Sequence, residues 1–196
     1  MGAGGSSVNL RWIKHLYTAP LGSTVYRQRE RFKLDVWRQK EYPRFKATQS
    51  IYFRGPKEPD NWEADAACVD YAVLGTKEWL TAKNMISRIR RAIEEDAATN
   101  NIPVKIGATG RCYIERLDAE SVIDWGAEDN AYGKKHILRM MLTLETNPGA
   151  AFYIAGQGGH FEVGSLQWIN PLAIHSMMNV GTFPVVTMIC DFAVEE

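Results

Sequence analysis

Apolar residues recur at helical spacing in one stretch of the chain and at strand spacing through most of the residues after it. Ala82, Met85, Ile86, Ile89, Ala92, Ile93 and Ala97 form an i, i+3, i+4, i+7 stripe. Arg88, Arg90, Arg91, Glu94 and Glu95 fall on the opposite, wet side. The pattern predicts an amphipathic helix over residues 82–97, with Thr81 as its N-cap. Asn100, Asn101 and Pro103 supply the stop. Beyond Pro103, short runs of β-branched and aromatic residues predict strands near 111–117, 120–125, 137–145, 151–155, 160–163, 165–170, 174–180 and 184–192. Turn residues punctuate them at Asn147-Pro148-Gly149, Gly156, Gly158-Gly159, Gly164, Asn170-Pro171 and Gly181. The glycines at 156–159 lie between β-runs rather than ahead of a helix, so they predict a hairpin turn and not a phosphate-binding loop. Strands at this spacing predict a sandwich or barrel, and the spacing alone leaves open an immunoglobulin-like sandwich or a jelly roll.

The front of the chain is less regular. Residues 1–7 are small and flexible, and Gly2 with Ser6 also fits a myristoylation pattern; a flexible tail is the simpler reading, since one acyl chain anchors weakly. Residues 8–59 are basic and aromatic with no clean period, although 50–54 reads as a short strand. These features predict a basic, aromatic-rich N-terminal extension over 1–80 and a helix-plus-β domain over 81–196.

Composition adds limits. The chain has 196 residues, 45% of them hydrophobic and 23% charged, which excludes wholesale disorder. No apolar run is long enough for a spanning helix, and no secretory signal pattern opens the chain. Cys68, Cys112 and Cys190 are odd in number and scattered, which suits a reducing, cytoplasmic setting and gives no zinc spacing. The net charge of zero hides an asymmetry. Residues 11–58 carry twelve Lys or Arg against four Asp or Glu, whereas no Lys or Arg occurs from Met140 onward. A basic stretch interleaved with Trp12, Tyr17, Tyr26, Phe32 and Trp37 suits contacts with other protein subunits in an oligomer or larger assembly. Nucleic-acid binding by the same stretch is the weaker alternative.

The C-terminal half carries an ordered series: Thr146-Asn147-Pro148, Gly164 and Asn170 ahead of His175, Asn179 with Gly181, and a last strand ending at Asp191. This series resembles the aspartyl/asparaginyl β-hydroxylase family of iron(II)- and 2-oxoglutarate-dependent oxygenases. The resemblance covers residues 105–193 and implies a double-stranded β-helix, a jelly-roll or cupin-type fold. It also implies a metal held by two His and a carboxylate, with the first His and the carboxylate at Gly126 and Glu128 and the second His at His175. An Arg for the co-substrate is implied at Val185. An Arg-x-His pair is implied on the strand before Thr146, and there Arg139 is present but Met141 replaces the His.

Gly126 has no side chain to ligate, Glu128 is one methylene longer than the expected Asp, and Val185 cannot pair with a carboxylate. Four positions thus depart together: Gly126, Glu128, Met141 and Val185. The expectation is a non-catalytic structural or binding protein on a hydroxylase-like fold, needing no cofactor, with Arg139 as a remnant of the co-substrate site. Because proteins with this series occur in phage-like genomes, a virion component is the specific form of that expectation. The alternative is an active iron(II)/2-oxoglutarate hydroxylase with a rearranged site of His175, Glu128 and His136.

Overall fold

The computed structural model describes residues 9–19, 21, 38–39, 48–56, 68–70, 76–127 and 137–195. Its elements are β1 (Leu10–His15), β2 (Arg38–Gln39), β3 (Thr48–Pro56), β4 (Cys68–Asp70), α1 (Thr76–Thr99), β5 (Lys105–Leu117), β6 (Ser121–Gly126), β7 (Ile137–Glu145), β8 (Ala150–Ile154), β9 (Gln157–Gly159), β10 (Ser165–Ile169), β11 (His175–Asn179) and β12 (Val185–Glu195). No described helix is long and apolar enough to cross a membrane.

Two antiparallel sheets are packed face to face. The larger runs β1-β10-β7-β12-β5-β3-β2, with β4 paired to β3, and the smaller runs β6-β11-β8-β9. From β5 onward the chain steps between the sheets, apart from the β8–β9 hairpin inside the smaller one. That winding is a double-stranded β-helix, preceded by one long helix.

Side-chain parity along β12 explains why the larger sheet is apolar on both faces. Val185 and Ile189 point between the sheets, where they meet Leu117, Met141, Phe152, Ile154 and Met177. Val186, Met188, Cys190 and Phe192 point the other way, onto Met85, Ile89, Ala92 and Ile93 of α1. A strand covered on both faces reads as a continuous apolar run, as 185–190 does. Each large apolar side chain buried in this way stabilises the fold by about 1.5–3 kcal/mol.

The structure departs from sequence expectation in two places. The helix begins at Thr76, so Thr81 lies inside it and is not its N-cap. Nothing in Lys77-Glu78-Trp79-Leu80 breaks a helix, and the apolar stripe marked only the part packed on the sheet. Residues 160–163 form no strand; the partner of β8 is β9, across a turn at Ala155 (φ 45°) and Gly156 (φ 78°). Positive φ at both central residues of a two-residue loop gives the type I′ hairpin expected at Gly156. The larger sheet takes strands from both sides of residue 80. β1 pairs with β10 from Leu10↔Ile169 to His15↔Ser165, and β3 pairs with β5. Arg11 and Lys14 of β1 also reach Asp96 and Glu95 of α1, at 2.9 and 2.6 Å.

Candidate functional site

The Thr-Asn-Pro and Asn-x-Gly segments meet at one end of the barrel. Asn147 Nδ2 donates to Asn179 Oδ1 (3.0 Å) and to the Phe183 carbonyl (2.8 Å), while Asn147 Oδ1 accepts from the Gly149 amide (2.9 Å). Asn179 Nδ2 donates to the carbonyls of Asp118 (2.9 Å) and Phe183 (2.8 Å), and its Oδ1 accepts from the Gly181 amide (3.1 Å). Both side chains are thus spent on each other and on backbone groups of the adjoining strands and turns. Gly181 is required here by space: a Cβ on it would lie 1.9 Å from Asn147 Oδ1.

At the other end of the smaller sheet, β6 finishes at Gly126 and β11 starts at His175, and the two are direct cross-strand partners. Any side chain at 126 would therefore project beside His175. The His175 ring is buried and stacks on Phe152 (centroids 6.1 Å apart). Its Nδ1 lies 2.8 Å from the Ala173 carbonyl, so this nitrogen carries the proton. A backbone carbonyl orients metal-bound histidines in the same way, but residue 126 offers no second ligand. Glu128 and His136 lie outside the described residues, and among those described no group of three His, Cys, Asp or Glu is placed to hold a metal.

Between the sheets lies a small cavity, lined by Met141, Phe152, Phe161, Met177, Val185 and Thr187 among others, with a free volume of ≈ 20 Å³. That is room for about one water. Val185 and Met141 are both buried and contribute only apolar surface to it. Arg139, on β7 one inward position from Met141, is engaged elsewhere. Its Nε and Nη2 donate to Oδ1 and Oδ2 of Asp191, at 2.8 and 2.9 Å. The pair is cross-strand, bidentate and almost wholly buried, with side chains 3% and 0% exposed.

No family model and no curated protein matches the chain. Solved structures do. A prolyl hydroxylase from Trichoplax adhaerens, in complex with a hypoxia inducible factor oxygen degradation domain peptide fragment, superposes with a TM-score of 0.60 at 10% identity, over 96% of this chain and 84% of that one. A Pseudomonas putida prolyl-4-hydroxylase gives 0.59 at 7% identity, over 97% and 95%. An oxidoreductase of the 2OG-Fe(II) oxygenase family from Burkholderia pseudomallei gives 0.57 at 13% identity, over 74% and 67%.

The chain has the fold of the 2OG-Fe(II) oxygenases. The likeness is to that fold and does not single out an aspartyl/asparaginyl hydroxylase. Iron and 2-oxoglutarate would need a ligand pair at 126 and 175 and a cation at the co-substrate pocket. The described residues do not fit them: 126 is Gly, the cavity beside Val185 is small and apolar, and an unpaired carboxylate placed there is strongly disfavoured. Sequence reasoning marked Asp191 only as the end of the last strand and missed that it partners Arg139. The signal was present, since an Arg and an Asp at inward positions of two apolar strands must neutralise each other if those strands pair.

Proposed function

We propose that this protein is a non-catalytic structural or binding subunit built on the oxygenase fold, of the aspartyl/asparaginyl hydroxylase type. The observation that carries this reading is the small, apolar cavity between the sheets, with Val185 and Met141 in its wall and no Lys or Arg among its lining residues. Gly126 beside His175 supports it from the metal side. A phage-type virion component is the most specific form of the reading, and it rests on the resemblance in the C-terminal half.

A binding role has its own support. The outer face of the smaller sheet exposes Val122, Trp125 and Tyr153, with Ile174 at its end; Trp125 is 60% exposed and lies 6.2 Å from the Tyr153 ring. Contiguous apolar surface of this kind marks interaction sites. β8, β9 and β11 of this sheet fall in the stretch without Lys or Arg, whereas residues 11–58 carry a local charge of +8. The occupant of this face on our reading is the basic, aromatic stretch of a second copy, whose Trp and Tyr side chains suit an apolar surface free of Lys and Arg. Sedimentation velocity tests it. The wild-type chain is expected to associate in a concentration- and salt-dependent way, and Trp125→Glu with Tyr153→Glu to abolish association while leaving the circular dichroism spectrum unchanged. A strictly monomeric wild-type protein, or undiminished association of the double variant, would overturn the assembly reading.

A further inference from the structure

Two cysteines inside the larger sheet take no part in the site just described. Cys112 on β5 and Cys190 on β12 are direct cross-strand partners. Both are fully buried on the α1 side of the sheet, among Ile114, Met140, Met188 and Phe192. Their sulfurs are 3.0 Å apart. Facing residues of an antiparallel pair have Cα atoms about 4.5–5.5 Å apart, inside the roughly 4.4–6.8 Å that a disulfide spans. Bond formation thus needs the sulfurs to close a short gap, with the strands already in place. β5 and β12 are also the first and last strands of the double-stranded β-helix.

We propose that Cys112 and Cys190 form a redox site, closing to a cross-strand disulfide when the chain meets a small-molecule disulfide such as oxidised glutathione. One thiol loses its proton and attacks the oxidant, releasing one glutathione thiolate. The second, once deprotonated, attacks the mixed disulfide and releases the other. Two protein thiols are oxidised to one disulfide, and one oxidised glutathione is reduced to two thiols that take up the two protons. Burial, and the Cys112 thiol beside it, push the Cys190 thiol well above the ordinary range. Closure is therefore slow in the folded protein and fast while the strands assemble, when the thiols are wet. The site does not depend on the assembly reading, because it rests on the sheet alone.

The two residues are 78 positions apart. A cross-link closing so long a loop restricts the unfolded chain strongly, and for a chain of this size raises the Tm by about 10 °C. The test is refolding of the full chain from denaturant in glutathione redox buffer or in dithiothreitol, followed by peptide mapping without reduction and by thermal melting. The expected product of the redox buffer has one disulfide joining Cys112 to Cys190 and a free Cys68, and its gain in Tm disappears on reduction. Cys68→Ala should keep the redox-dependent gain, and Cys112→Ala and Cys190→Ala should each lose it. Three free thiols in the refolded wild-type protein, a disulfide that includes Cys68, or a gain that persists in Cys112→Ala would overturn the proposal. Should the alanine variants fail to fold, the wild-type peptide map alone decides.

Discussion

The barrel end knitted by Asn147 and Asn179 and the opposite end of β11, where His175 meets Gly126, are drawn from the same series of motifs, and they hold different things. At the knitted end the motif residues are present, and both amide side chains bond to groups of neighbouring strands and turns. At the opposite end His175 faces Gly126 across the strands, and Met141 and Val185 line the apolar cavity between the sheets. The first set is held by the backbone, which must find partners for its buried amides and carbonyls in any protein with this winding. The second set would be held only by chemistry, and on the reading proposed above an apolar residue or a glycine serves there as well. A motif series can therefore report a fold without reporting an activity.

Substitutions sharpen this contrast. The largest loss is expected at the polar pair inside the apolar barrel. Arg139→Met should destabilise by about 3–5 kcal/mol, because Asp191 is left charged and buried, and Arg139→Met with Asp191→Leu should recover most of that loss. Chemical denaturation of the three proteins checks it, and a single variant as stable as the double would show that Arg139 does not neutralise Asp191. Next comes the knitted end. Asn179→Ala removes the side-chain donor to the Asp118 carbonyl and the acceptor of the Gly181 amide, while the Phe183 carbonyl keeps Asn147, and should lose about 1–3 kcal/mol by the same measurement. At the ligand position, Gly126→Ala should be neutral or stabilise by about 0.5 kcal/mol, since a strand glycine mainly adds disorder to the unfolded chain. A loss at 126 as large as that at 179 would erase the contrast.

The smallest effect is on the surface. The hydrogen bond from Lys14, then that from Arg91, holds the Glu95 carboxyl below the usual carboxylate range. Its folded value lies below its unfolded one, so its contribution is present above the ordinary carboxylate range and fades as pH falls through the lowered value. Glu95→Gln should therefore slightly flatten the acid limb of the stability–pH curve and leave the alkaline side unchanged. An unchanged acid limb would show that β1 is not tied to α1 through this contact.

The legible parts of the molecule were those where local pattern and tertiary role agree. The stripe from Ala82 to Ala97 forms the buried side of α1, and the runs near 137–145, 165–170 and 184–192 became β7, β10 and β12. β1 and β9 were not legible. Leu10–His15 has no clean alternation and is a strand because the edge of β10 offers it partners 150 or more residues away. Gln157–Gly159 has no β-propensity and is a strand because the turn at Ala155 and Gly156 delivers it to β8. The Arg139–Asp191 and Cys112–Cys190 pairs needed the strand order, which no spacing in the sequence supplies.

The central claim is that the oxygenase fold has been kept and its chemistry lost. The most direct test is succinate release from 2-oxoglutarate by the unmodified protein with iron(II) and ascorbate. No iron-dependent succinate above the protein-free control is expected, because Gly126 gives His175 no cross-strand ligand and Val185 gives the cavity apolar surface where a cation would be needed. Iron-dependent turnover that is lost on substituting His175, Glu128 or His136 would contradict the account and establish an active enzyme with a rearranged metal site.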